Sequence, residues 1–232
     1  MSYANNQVFT ASGTFTVPAG VSKVYLTGCG AGAGGGAASW QAVVASTGAG
    51  GEAGESCSGT EISVTSGASI TVTIGTGGGG GEIAPDYNSG GAVYMPAGPG
   101  YNGGSTSFGS LKTLVGGNHG SQACGRGSGY GYAASGGSGG PGNDGSGGTW
   151  AQRQSGGTTN IGLGGTSPIT SYGAGGTGGG PFTWTYMGGE SPTWVCNLSD
   201  GGQYTGYSGQ GGYLKVEWDT PPSLDNYIMG VQ

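Results

Sequence analysis

Glycine returns at every third residue along five stretches of this chain: 48/51/54, 75/78/81, 136/139/142/145/148, 173/176/179 and 206/209/212. A period of three belongs neither to the α-helix nor to the β-strand. It is the period of the extended polyproline-II conformation. Built from glycine, such helices can approach until the N–H of one meets the C=O of the next. Hydrogen bonding then takes the place of a side-chain core, because every residue other than proline carries one donor and one acceptor. Ordering glycine is costly in backbone entropy, so many short helices must pack together or none will. The composition demands a solution of this kind. Of 232 residues, 62 are glycine, while Leu, Ile, Val and Phe together number only 31. That is about 13 per cent, below the roughly 20 per cent that marks the lower edge of ordinary folded domains. Disorder usually accompanies such poverty, but with a high net charge; here the net charge is −6. Collagen would need unbroken glycine triplets and abundant proline, and the chain has 10 prolines.

The remaining sequence reads as β. Residues 14–17 alternate, 18–20 form a turn, and 22–27 alternate again. Residues 61–65 and 69–74 read as a hairpin about Ser66 and Gly67, and 212–218 gives one more strand. The first and last strands are expected to meet in one sheet. No segment has the pattern of an α-helix. The expected fold is therefore all-β: a small sheet or sandwich closed by N- and C-terminal strands, with a packed polyglycine-II-like region and protruding loops. It is a single domain over 1–218, with β-rich parts at 7–30, 60–75 and 211–218 and a glycine-rich part at 76–210. Residues 219–232 form a C-terminal extension.

Several function classes are disfavoured. Five basic residues, Lys23, Lys112, Arg126, Arg153 and Lys215, are scattered, whereas nucleic-acid or anionic-lipid binding needs them clustered. No apolar run approaches the roughly 20 residues of a membrane helix. The N-terminus lacks the basic flank and apolar stretch of a secretory signal, so synthesis in the cytoplasm is expected. Cys29, Cys57, Cys124 and Cys196 form no CxxC pair, and with a single histidine a zinc site is improbable. Reduced, packed thiols are the favoured reading.

Glycine motifs match by accident in such a sequence. Gly30, Gly32 and Gly35 satisfy GxGxxG, but that fingerprint needs an α-helix after it. Residues 136–140 satisfy GxSxG with neither strand before nor helix after. Glu52 with Glu55, and Glu82 with Asp86, read as solvated loop charges rather than a catalytic pair. Neither an enzyme nor a cofactor or metal site is expected.

The aromatic residues that interrupt the glycine runs are more informative. Tyrosine and tryptophan among Ser, Gly and Asn is the composition of antibody-type binding loops, in which rigid rings give contact area at low entropic cost. Residues 149–155 and 181–194 are least like scaffold. The binding candidates are Trp150, Arg153, Phe182, Trp184, Tyr186 and Trp194, with Tyr87 and Tyr94.

Residues 15–30 (FTVPAGVSKVYLTGCG) followed by poly-glycine resemble the opening of glycine-rich domains in bacteriophage tail-fibre and tail-tip proteins. Residues 69–75 (SITVTIG), 103–109 (GGSTSFG) and 211–218 (GGYLKVEW) are similar to further hallmarks, so the likeness spans about 9–218. It implies a virion component at the distal end of a fibre, built from stacked polyglycine-II helices. The loops of such a component contact a protein or polysaccharide of the bacterial outer surface. A homo-oligomer is expected, and a trimer suits a fibre. The adhesins of this kind begin with a separate attachment domain; here strands start almost at once. Attachment to other tail proteins is assigned instead to the extension, through Leu224, Tyr227, Ile228 and Met229. The alternative is a purely structural fibre or filament subunit without receptor binding. An ice-binding slab is a third reading.

Overall fold

The computed structural model describes residues 3–41, 44–83, 87–89, 92–95, 97–122, 124–126, 130–132, 150–152, 157–158, 162–187, 193–203 and 205–219. Two four-stranded antiparallel sheets face each other. The first has the order Asn5–Phe9, Tyr213–Trp218, Lys23–Cys29, Ser56–Ser63; the second, Lys112–Leu114, Thr106–Phe108, Ser69–Thr73, Gly13–Thr16. Alternation along each strand turns one face inward, and that face carries the large apolar side chains of the core. Phe9, Val24, Leu26, Leu214 and Val216 from the first sheet meet Phe15, Val72 and Phe108 from the second. Phe15 lies at the centre, tilted against Phe108 at 5.7 Å between ring centroids and edge-on to Trp218 at 5.4 Å.

The sheet closes as expected, because the final strand pairs with Asn5–Phe9 on one side and Lys23–Cys29 on the other. One expectation is corrected. Ser56–Ser63 and Ser69–Thr73 are not a hairpin; they belong to opposite sheets, and so do Gly13–Thr16 and Lys23–Cys29 on either side of the 18–20 turn. Each link is an arch across the core. Alternation reveals which face of a strand is apolar, but not which neighbour it takes. At the 66–67 turn Gly67 adopts φ 76°, a left-handed conformation that glycine accepts without penalty.

Six sandwich strands run directly into glycine segments, and there the architecture changes. The segment 30–37 leaves Lys23–Cys29 and repeats its partners every third residue. Gly30, Ala33 and Gly36 donate to the carbonyls of Glu55, Glu52 and Ala49; Ala31, Gly34 and Ala37 to those of Gly104, Tyr101 and Gly98; Gly32 and Gly35 to those of Gln210 and Tyr207. The carbonyls of 31 and 34 accept from Gly117 and Gly120, those of 32 and 35 from Gly78 and Gly81, and those of 33 and 36 from Gly176 and Gly179. This is a threefold helix held by six neighbours. The three whose carbonyls accept its N–H groups run antiparallel to it, and the three whose N–H groups donate to its carbonyls run parallel.

The neighbours also bond to one another. In ring order they are 48–55, 115–121, 98–104, 75–82, 206–212 and 173–179, each antiparallel to the next. An eighth segment, 162–165, packs outside the ring on 48–55 and 173–179. Four of the five glycine triplets lie in this lattice and pair with each other. Gly48, Gly51 and Gly54 donate to Gly179, Gly176 and Gly173; Gly212, Gly209 and Gly206 donate to Gly75, Gly78 and Gly81. The fifth, 136–148, lies outside the described residues.

Side chains explain the transition. In the sandwich they hold two sheets about 10 Å apart; where they vanish, the layers close until backbone bonds to backbone. A Cβ on Gly34, Gly35 or Gly36 would stand 1.9, 2.1 or 2.0 Å from the carbonyl oxygen of Gly79, Thr177 or Ser121. The apparent dinucleotide motif Gly30, Gly32 and Gly35 is thus the centre of the lattice, with its N–H groups donated to Glu55, Gln210 and Tyr207.

Two acidic residues of the lattice, Glu52 and Glu55, do structural work. Glu52 is fully buried, and its Oε2 accepts from the Asn118 N–H at 3.1 Å and Nδ2 at 2.9 Å. Glu55 takes the Lys112 ammonium at 3.2 Å and the Val115 N–H at 3.1 Å. These tie neighbouring segments together and are not the solvated charges expected. Cys29 and Cys57 are free thiols, each pushed above its ordinary value by burial.

Candidate functional site

The alternating directions of the ring have a consequence for everything between the helices. The central helix and its parallel neighbours start at the sandwich and end at about 37, 82, 121 and 179; the antiparallel ones begin again at about 48, 98 and 206, and the outer segment at 162. The four intervening excursions, 38–47, 83–97, 122–161 and 180–205, therefore all leave and re-enter the lattice at the end opposite the sandwich. Both described ends of the chain lie at the sandwich. Asn5 pairs with Trp218, and the Ala4 N–H reaches the Asp219 carboxylate at 3.3 Å.

The excursions are interlocked. Three of them build one five-stranded antiparallel sheet in the order Trp150–Gln152, Val44–Ser46, Ser39–Gln41, Ala92–Met95, Tyr87–Ser89. The fourth forms the longest ladder in the structure, Gly180–Met187 against Thr193–Gln203, with Gly157–Thr158 of the third excursion added at its edge. Cys124–Arg126 and Tyr130–Tyr132 make a short hairpin beside the five-stranded sheet. The sequence suggested loops here. Strands form instead, and the local reason is visible in residues 182–187 (FTWTYM), where threonine alternates with aromatics, a pattern of high strand propensity.

Register places the binding candidates. Tyr87 stands directly opposite Tyr94, and Trp150 opposite Ser46 in the same sheet. Tyr186 stands opposite Trp194, Phe182 opposite Leu198, and Trp184 between Gly157 and Cys196. Seven of the eight candidates thus lie in strands at one end of the molecule. Arg153 lies outside the described residues, as do Leu224, Tyr227, Ile228 and Met229. Trp40 was missed as a candidate. It lies in the middle strand of the five, opposite Ala45 and Met95, and its position just after the central glycine run was the available signal.

The four excursions carry half of the chain's aromatic residues and four of its five tryptophans. Their charged residues are only Asp86, Arg126, Asp144, Arg153, Glu190 and Asp200.

A β-sandwich whose strands run on into a hydrogen-bonded glycine lattice defines a scaffold class, one in which side chains fill the sandwich and backbone hydrogen bonds hold the lattice together. The chain belongs to the glycine-rich domain family, which it matches over residues 9–223. No curated protein matches it.

Proposed function

We propose that the protein is a tail-fibre tip component of a tailed bacteriophage and binds a receptor on the bacterial surface through the excursions. The observation that carries this reading is the polarity of the molecule. Aromatic-rich, charge-poor segments are gathered at one end of a hydrogen-bonded lattice, while the described ends of the chain lie at the other. A recognition surface works best when strands of a stiff support hold it, and attachment at the sandwich end would leave it facing outward. The partner is an outer-membrane protein or surface polysaccharide, and the protein acts without catalysis. Residues 219–232 continue from the sandwich end, where a docking arm to the rest of a fibre would be needed.

The test is binding of fluorescently labelled protein to a panel of bacterial strains. Strain-selective binding is expected. It should be lost when Trp184, Tyr186 and Trp194 are replaced together by serine while the melting temperature is kept. A folded protein that binds no strain but forms filaments by electron microscopy would favour a structural subunit instead.

A further inference from the structure

Ring segment 98–104 contains the one Asn–Gly pair in the chain, Asn102–Gly103. Such a pair carries a reaction of its own. The Gly103 nitrogen can attack the carbonyl carbon of the Asn102 side chain. A C–N bond forms, closing a five-membered succinimide, and the side-chain nitrogen leaves as ammonia. Water then opens the imide at either carbonyl, leaving aspartate or a β-linked isoaspartate at 102. Glycine in second place obstructs the attack least, having no side chain. Here the lattice imposes it: a Cβ on Gly103 would stand 2.1 Å from the Ala31 carbonyl oxygen. Asn102 itself is exposed to water.

The folded arrangement blocks each requirement of the reaction. The nitrogen is engaged, because the Gly103 N–H donates to the Gly117 carbonyl at 3.0 Å. The backbone is fixed on either side, by Tyr101 N–H to Gly79 O and Gly104 N–H to Thr76 O, each 2.9 Å. An extended threefold helix holds ψ at about +145°, whereas ring closure needs the Gly103 nitrogen rotated round toward the side chain. The side chain is held too, since Asn102 Oδ1 accepts the His119 N–H at 2.9 Å. The contacts to Gly117 and His119 both join 98–104 to the neighbouring segment 115–121.

We propose that Asn102–Gly103 is a latent self-modification site, which the lattice keeps closed and which reacts when 98–104 separates from 115–121. The β-linked product makes that separation permanent. Isoaspartate routes the main chain through the former side chain and adds one carbon to it. Gly103 and Gly104 are then displaced from Gly117 O, from Thr76 O and from the Ala31 N–H that Gly104 O accepts. Gly103 lies against Ala31 O without room for a Cβ, so the lattice does not absorb the displacement. The pair records opening of the ring and bars an opened molecule from closing again. This inference rests on the lattice and is independent of the receptor reading.

Peptide mass mapping after timed incubation in mildly alkaline buffer tests it, with isoaspartyl methyltransferase labelling to identify the β-linked product. Residue 102 should react at least about 100-fold more slowly in the folded protein than in guanidinium chloride, equivalent to an opening free energy of about 2.8 kcal/mol. Gly120→Ala, whose Cβ would stand 2.2 Å from Ala49 O, loosens 115–121 and should speed the reaction. Should that variant not fold, warming the unaltered protein toward its melting temperature gives the same reading, the rate rising with the opened fraction. Chains aged unfolded and then diluted should yield folded protein free of isoaspartate at 102. Equal rates in folded and unfolded protein would overturn the closed site, and folded protein carrying isoaspartate at 102 would overturn its irreversibility.

Discussion

An alanine scan of the five consecutive glycines 77–81 reads the helix period directly. A Cβ added to Gly77, Gly78, Gly80 or Gly81 would stand 2.1, 2.0, 1.8 or 2.2 Å from the carbonyl oxygen of Gly209, Tyr101, Gly206 or Gly98. At Gly79 the nearest atom is the Tyr101 ring at 3.4 Å, an ordinary contact. The threefold helix turns 76, 79 and 82 outward, and Thr76 and Glu82 already carry side chains there. Consider Gly78→Ala. Bringing its Cβ to the 3.0 Å that real contacts respect requires 3.0 − 2.0 = 1.0 Å of movement. The bonds Gly78 N–H to Gly32 O, Gly34 N–H to Tyr101 O and Tyr101 N–H to Gly79 O, each 2.9 Å, would stretch beyond hydrogen-bond range. Buried groups left unpaired cost about 1–3 kcal/mol each, so the loss is about 3–9 kcal/mol against a typical total of about 5–15. Gly79→Ala should instead stabilise by about 0.4–1 kcal/mol, through a less flexible unfolded chain. In thermal melts that is a rise of about 1–4 °C for Gly79→Ala, with large losses or no folded protein for the other four. A strand, with its period of two, would tolerate 77, 79 and 81 alike. That outcome would refute the threefold lattice.

Three further expectations concern the sandwich and the buried polar groups. Phe15→Ala, at the centre of the core against Phe108 and Trp218, should cost about 3–5 kcal/mol in urea unfolding. Glu52→Ala should cost about 2–4 kcal/mol, because it strips a buried carboxylate from the N–H and Nδ2 of Asn118; Glu52→Gln should recover part of that. The thiols of Cys29 and Cys57 are raised by burial, so the folded state holds their protons to higher pH than the unfolded state. Their contribution is complete below the unfolded thiol value of about 8.5 and is lost as pH rises through the folded values. The urea midpoint should therefore be flat from about pH 6 to 8 and fall above about 9. Peptide mapping after iodoacetamide at pH 8 should find Cys29 modified only when the protein is denatured.

The period of three in the glycine runs was legible because hydrogen-bond geometry imposes it directly on sequence. A buried position facing another backbone admits no side chain, and such positions recur with the helix turn. Segments 98–104 and 115–121 were not legible, since they face solvent and carry Pro99, Tyr101, Asn102, Asn118 and His119 where glycine is not required. The central helix was hidden for another reason: it bonds on all sides, so its glycines show no single preferred phase and Ala31 and Ala33 interrupt them. Strand identity followed from alternation, but the sandwich arches did not, because a pattern of period two is silent about partners. The aromatic candidates were found by composition. Their gathering at one end was not, since it depends on the directions of eight helices that no local signal records.

The central helix, 30–37, is made of residues near the start of the chain, yet its hydrogen-bond partners extend to Gln210. A chain emerging from the ribosome completes this helix early and must hold it without its full set of partners until the segment 206–212 and the closing strand have been synthesised. No N-terminal fragment satisfies those amides, and contacts so distant in sequence are slow to form. The lattice is thus assembled late and all together. A protein truncated just before residue 206 loses far more than its last ninth, because Gly32 and Gly35 lose their acceptors and Asn5–Phe9 and Lys23–Cys29 lose the strand that joins them.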